Sequence, residues 1–258
     1  MVICRYSKNH RKLTSALEIR WSLIYPIKGV EAPYYLIGES VESDDKIVYD
    51  KRVLVSIPTR GEIRAECVGW LVDALRNCVL EGHQAGMQVI VSPYPIDHMR
   101  NHQIRGFLET DYNYLFLLDS DCEPPRDCIT KLLEYDKDIV GSVCPGIVEG
   151  KVVYTAAMID EAAIKAGGPH KYMMHGPKSE DLPKGLVEVD AMGATGVLIK
   201  REVIEKMKYP WFKVLYTPDG EDIRSGEDFF FCAKAKELGY KIWADFDLIQ
   251  KHYKVVSI

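Results

Sequence analysis

Tyr114-Leu115-Phe116-Leu117-Leu118-Asp119-Ser120-Asp121-Cys122-Glu123-Pro124-Pro125 is the stretch that decides the fold. An uncharged apolar run without polar alternation suits a central strand of a parallel sheet, which is buried on both faces. The run ends on two carboxylates and then on prolines. In extended chain, residues i and i+2 face the same side, so Asp119 and Asp121 can both turn into the space beyond the strand. Two hard oxygen donors there suit Mg²⁺ or Mn²⁺, which bridges carboxylates to a diphosphate. Asp-x-Asp alone is common in turns and helix caps. The apolar strand before it and the Pro-Pro after it set this instance apart.

Working outward, Val53-Leu54-Val55-Ser56-Ile57 is a β-branched run that stops at Pro58-Thr59-Arg60-Gly61, a strand followed by a turn. Ile63, Cys67, Trp70, Leu71, Ala74, Leu75 and Cys78 then recur at helical spacing. Met87 to Ser92 reads as a strand, 98–109 as an amphipathic helix, and 138–143 as a strand. Between the last two, Pro125 stands where a helix N1 proline stands, ahead of Ile129, Leu132 and Leu133. This alternation of strands and helices predicts an α/β fold, a mostly parallel central sheet with helices on both faces. Ligands of such sheets bind beyond the carboxyl ends of the strands. Pro58-Thr59-Arg60, Ser92-Pro93 and Asp119-Ser120-Asp121 therefore gather on one rim.

Downstream, 166–185 reads as a long loop and Val187 to Ile199 as a strand or two, with a short helix to Met207. Ser225-Gly226-Glu227-Asp228 has acids where a helix dipole favours them, and this helix stops at Gly239. Residues 241–244 form a last strand before Lys251-His252-Tyr253. Residues 1–50 read as an N-terminal extension with a possible helix at Leu13 to Ile24, and 51–258 as one catalytic domain, divided into halves at 145/146.

The 258 residues carry a net charge of −5, which provides no basic footprint for nucleic acid. No apolar run approaches the ~20 residues that span a bilayer, and the N-terminus lacks the apolar core of a secretory signal. The seven cysteines are irregularly placed, which argues against a disulfide framework. The expectation is a reduced, cytoplasmic protein.

The stretch from Tyr112 to Pro125 resembles the Asp-x-Asp region of the GT-A glycosyltransferase superfamily, above all its family 2-like branch. Val55 to Gly61 resembles that family's first strand and nucleotide-binding turn, and Arg100-Asn101 the start of the helix before its metal strand. Val189 to Ile199 is similar to its Gly-rich acceptor-side strand, and Gly226-Glu227-Asp228 to its Glu-Asp helix. The likeness spans about residues 53–253, with the motifs in family order.

The resemblance implies a Rossmann-like GT-A domain that takes a UDP- or GDP-linked sugar and an unknown glycan, lipid or small-molecule hydroxyl. It implies a base and ribose pocket at Pro58, Thr59 and Arg60, with Arg100 and Asn101 near the phosphates or ribose. Asp119 and Ser120 would face the ribose, Asp119 and Asp121 a Mn²⁺ or Mg²⁺ ion, and His252 would be a third ligand. Asp228 would be the general base of an inverting transfer, with Glu227 the alternative. Gly193, Ala194 and Trp211 would lie on the acceptor side. His170, His175, Asp97 and His98 are further candidates. Two other readings remain: a nucleotidyltransferase, for which Pro58-Thr59-Arg60-Gly61-Glu62 offers a poor triphosphate loop, and a non-catalytic nucleotide-sugar-binding module.

Overall fold

The computed structural model describes residues 34–37, 49, 51–148, 150–165, 172–180 and 182–254. The helix expected at Leu13 to Ile24 and the candidate His170 lie outside them. In chain order the elements begin β1 (Tyr34–Ile37), β2 (Arg52–Thr59), α1 (Ala65–Leu80), β3 (Gln84–Val91), α2 (Ile96–Leu108) and β4 (Tyr114–Leu117). Next come β5 (Cys122–Glu123), α3 (Cys128–Glu134), β6 (Ile139–Val143), β7 (Pro145–Val148), β8 (Lys151–Tyr154), β9 (Ala156–Ile159) and α4 (Glu161–Lys165). Then follow β10 (Tyr172–Met174), β11 (Leu186–Val189), β12 (Ala191–Met192), β13 (Val197–Lys200) and α5 (Arg201–Lys206). The chain closes with β14 (Leu215–Tyr216), β15 (Ile223–Ser225), α6 (Glu227–Glu237), β16 (Ile242–Ile249) and β17 (Lys251–His252).

The main sheet has eight strands in the order β1-β3-β2-β4-β13-β6-β16-β11. β3, β2 and β4 run parallel, as do β6 and β16. β13 lies antiparallel between β4 and β6 and joins the two parallel sets. Antiparallel β1 and β11 close the edges.

Alternate residues of each strand feed opposite cores. Val53, Val55, Ile57 and Phe116 pack with Trp70, Leu71, Ile129 and Leu132 of α1 and α3. Leu54, Leu115 and Leu117 pack with Ile104, Phe107, Val203 and Phe231 of α2, α5 and α6. This is the mostly parallel sheet, clothed on both faces, that the sequence implies.

Several local expectations change. Pro125 is not at N1 of α3, because Asp127 is the N-cap and Cys128 the first helical residue. The last core strand is eight residues long and not four. The loop expected at 166–185 contains β10, paired with β9.

The strand ends are tied into one rim by main-chain hydrogen bonds. Ser92 N–H donates to Thr59 O at 3.0 Å, Arg64 N–H to Ser120 O at 3.0 Å, and Gly196 N–H to Leu117 O at 2.7 Å. Gly196 turns the chain into β13 at φ +69°, and a Cβ there would stand 2.2 Å from Gln250 Nε2 and 2.3 Å from Ser142 Oγ. A left-handed backbone and an overpacked contact each cost about 1–3 kcal/mol. Gly196→Ala therefore lowers stability by at least about 2 kcal/mol, read from the midpoint of urea unfolding. An unchanged midpoint contradicts this packing.

Candidate active site

Residues 119–121 leave β4 in a turn, closed by Cys122 N–H donating to Asp119 O at 3.2 Å. The extended geometry expected of Asp-x-Asp is therefore not what aligns the two carboxylates. The turn still brings ligand atoms of Asp119, Asp121 and Cys122 within 4.8 Å of one another. Asp119 is held twice: its N–H donates to Thr195 Oγ1 at 3.0 Å, and its carboxylate takes Arg100 Nη2 at 2.5 Å. Arg100 is 2% exposed. Its guanidinium also reaches Gln103 Oε1 at 3.2 Å, while its buried Nε has no partner. Asp119 thus enters the site already neutralised by a buried cation.

Asp121 faces a different set. β17 pairs with β5 directly behind it, and Tyr253 N–H donates to Asp121 O at 2.9 Å. That pairing places His252 Nε2 3.4 Å from Asp121 Oδ2, with Lys254 Nζ at 3.2 Å. Burial pushes the Asp121 carboxyl up, but hydrogen bonding and charge from His252, then Lys254, outweigh it and hold the group at about 2. The same hydrogen bond outweighs burial at His252 and raises it to about 9. His252 Nδ1 lies 2.7 Å from Pro145 O. A carbonyl only accepts, so Nδ1 carries a proton and Nε2 is the nitrogen turned to Asp121. An imidazole oriented by a backbone carbonyl and aimed at a carboxylate fits a divalent cation with oxygen and nitrogen ligands.

Asp228 opens α6 behind Gly226, where a Cβ would stand 2.8 Å from Asp228 Oδ1. That oxygen accepts Phe229 N–H at 2.8 Å. Part of the side chain still meets solvent, but protein atoms enclose most of it. Burial, then repulsion from Glu227, drives the carboxyl up to about 7 against the pull of Phe229 N–H and Arg100. Across from it, Gly193 N–H donates to Thr155 O at 2.8 Å. A Cβ on Gly193 would lie 2.9 Å from Thr155 Oγ1 and 3.7 Å from Asp228 Oδ2. The glycine keeps a gap open beside the carboxylate. Beneath it a cavity of about 10 Å³ is lined by Asp228, Gly193, Ala194, Phe212 and Phe231, about one water's worth of space.

The remaining sequence candidates divide. Pro58 and Thr59 are buried at the end of β2 and Arg60 is exposed. Thr59 Oγ1 accepts Gly61 N–H at 3.1 Å and donates to Glu62 O, which shapes the turn. Asn101 is fully engaged elsewhere: its amide donates to Asp97 O and Phe212 O and accepts Trp211 and Phe212 N–H, all within 3.2 Å. It pins the 211–212 segment. Trp211 is 8% exposed in the core, its ring N–H on Ile204 O, with little face for a sugar. Asp97 anchors Val214 N–H, the His98 and His102 rings lie tilted with centroids 4.3 Å apart, and His175 is buried, its carbonyl on Tyr154 N–H. Thr155, Thr195, Arg64 and Lys254 escape sequence reasoning, since their partners lie far away in the chain.

No protein-family model and no curated protein sequence matches the chain. Among solved structures it is similar to A197 from STIV, over 79% of this chain and 86% of that one, with 21% identity and a TM-score of 0.49. GalNAc-T7, solved with UDP, GalNAc and Mn²⁺, overlaps 80% of this chain and 44% of its own, with 15% identity and a TM-score of 0.45. A putative glucose-1-phosphate thymidylyltransferase from Bacillus anthracis in complex with sucrose overlaps 79% and 88%, with 10% identity and a TM-score of 0.41. At such values no residue role carries across.

The Asp228 carboxyl has a pH signature of its own. Its folded value of about 7 lies above the ordinary 3.8. The stability tied to the neutral carboxyl is therefore complete below about pH 4 and lost as pH rises through about 7. Asp228→Asn is uncharged throughout, so its melting temperature relative to the wild type rises between pH 4 and pH 8. A difference independent of pH contradicts the raised carboxyl.

Proposed function

We propose that the chain is a metal-assisted glycosyltransferase. It moves a sugar from a UDP- or GDP-linked donor to a hydroxyl of a glycan, lipid or small-molecule acceptor, with inversion and with Asp228 as base. The observation that carries this reading is the opposed tuning of two carboxylates on one rim: Asp121 is held ionised near 2 and Asp228 is raised to about 7. Environments that drive carboxyl groups apart assign them different chemical tasks.

Asp121 and His252 Nε2 are the residues that would hold Mn²⁺ or Mg²⁺. Such an ion, when bound, neutralises charge building on the departing diphosphate. Lys254 beside Asp121 adds a cation for the same oxygens. Arg100 holds Asp119 and also acts on Asp228 with its charge. On the other side, Asp228 takes the proton from the acceptor hydroxyl. That oxygen bonds to the anomeric carbon as the carbon–oxygen bond to the diphosphate breaks. Backside attack inverts the anomeric centre. A base near 7 is well matched to this work at neutral pH. Gly193 brings the backbone close to that carboxylate, where a Cβ would stand 3.7 Å from Asp228 Oδ2.

A thermal-shift panel of UDP-, GDP-, CDP- and dTDP-sugars and nucleoside triphosphates, each with and without Mn²⁺, tests the class. A Mn²⁺-dependent shift with a diphosphate sugar supports the reading, and a shift confined to triphosphates replaces it with nucleotidyl transfer. Asp121→Ala abolishes Mn²⁺-dependent nucleoside diphosphate binding in calorimetry while the fold persists; undiminished binding refutes the metal assignment. Asp228→Asn keeps donor binding within about twofold yet loses about 10²–10⁴ in transfer rate. Transfer at the wild-type rate removes Asp228 as base.

A further inference from the structure

Behind the carboxylates lies a second group of ligand atoms, built on two thiols that glycosyl transfer does not use. Cys122 Sγ, Cys144 Sγ and a ring nitrogen of His252 lie within 4.8 Å of one another. Cys122 follows Asp121 in β5, Cys144 follows β6 directly, and His252 ends β17. Three segments distant in sequence thus converge on one point. The two cysteines are 0% and 2% exposed.

The spacings are specific. The sulfurs are 3.8 Å apart, and Cys144 Sγ is 3.6 Å from His252 Nδ1. Zinc bonds of about 2.3 Å to sulfur and 2.1 Å to nitrogen, at tetrahedral angles, leave sulfurs about 3.8 Å apart and sulfur and nitrogen about 3.6 Å apart. His252 Nε2, on the far side of the ring, faces Asp121 Oδ2 at 3.4 Å. A carboxylate partner of this kind is what a metal-bound imidazole commonly has. A water can fill the fourth position.

We propose that Cys122, Cys144 and His252 Nδ1 form a site for a thiophilic cation, Zn²⁺ above all. It would share His252 with the hard-cation site suggested for Asp121. Soft thiolates select Zn²⁺ over Mn²⁺ or Mg²⁺. Binding exchanges the His252 Nδ1–H bond to Pro145 O for a metal bond. The remaining ring proton then sits on Nε2, turned to Asp121. The imidazole is no longer free to serve the hard cation, so occupancy of one site weakens the other. Thiolates and a neutral imidazole are the binding forms, and capture releases the thiol protons and the His252 Nδ1 proton to solvent.

Co²⁺ added to the reduced protein is the first probe, because thiolate ligation produces a near-ultraviolet charge-transfer band and a tetrahedral site strong visible absorption. The proposal expects both in the wild type and in Cys4→Ser, and their loss in Cys144→Ser. Absence of the band in the wild type, or its survival in Cys144→Ser, overturns it. ¹¹³Cd NMR of the wild type needs no variant. A resonance at the shift of two sulfur ligands supports the site, and one at the shift of oxygen ligands alone refutes it. Neither measurement contains nucleotide, so both stand whatever becomes of the glycosyltransferase reading. Only a third arm rests on that reading: Zn²⁺ weakens Mn²⁺–UDP binding in the wild type and not in Cys144→Ser. Equal weakening in both overturns the sharing of His252.

Discussion

The turn at Asp119-Ser120-Asp121 is held at every residue by a different part of the chain. Thr195 holds the amide of Asp119 and Arg100 its carboxylate. Arg64 holds the carbonyl of Ser120, and Tyr253 that of Asp121. A short acidic turn would otherwise be driven open by its own charge and by the pull of water on its polar groups. Each anchor comes from a separate part of the chain, so the geometry of the turn depends on the start of α1, on α2, on the β13 entry and on the residue after β17. The two parallel halves of the sheet meet through β13, and the Gly196 turn that starts β13 hydrogen-bonds to Leu117 and, through Ser142, to β6. The local geometry at Gly196 is thus tied to the architecture of the whole sheet.

From that anchored turn the electrostatics divide the site. On one side a half-buried histidine and a lysine keep Asp121 ionised. On the other, enclosure and a neighbouring acid work to keep Asp228 neutral. Arg100, almost wholly buried and only partly hydrogen-bonded, pairs with Asp119 and pulls on Asp228 through its charge. A buried guanidinium with an unpaired Nε costs folding free energy. Holding a fixed cation against Asp119 is a physical reason to bear that cost.

Much of this was legible in the chain. β4 is plain because its residues are apolar on both faces, and β2 and β3 are plain because β-branched runs end at turn residues. The acids at Asp121 and Asp228 stand at a strand end and a helix start, and both positions are local properties. What depends on distant partners was not legible. β16 was read too short because Asp245 and Asp247 interrupt its apolar pattern, although Asp245 is buried and satisfied by the Tyr135 hydroxyl at 2.7 Å. β7, and β14 with β15, are short strands such as Ile147 and Ile223 occupy, and they carry no strong periodicity. Asn101 looks like a ligand residue by sequence, but its amide is used up on a segment 110 positions away. Thr195 gives no sign in sequence that its hydroxyl receives the Asp119 amide.

The central claim is that Asp121 and His252 form a divalent-cation site completed by a diphosphate. Electron paramagnetic resonance of Mn²⁺ reads this directly, because the sharp six-line signal of the free ion broadens away on binding. The account predicts that the signal of substoichiometric Mn²⁺ falls in the presence of wild-type protein and UDP, and recovers when His252→Ala replaces the wild type. A free-ion signal that is the same with both proteins would contradict it.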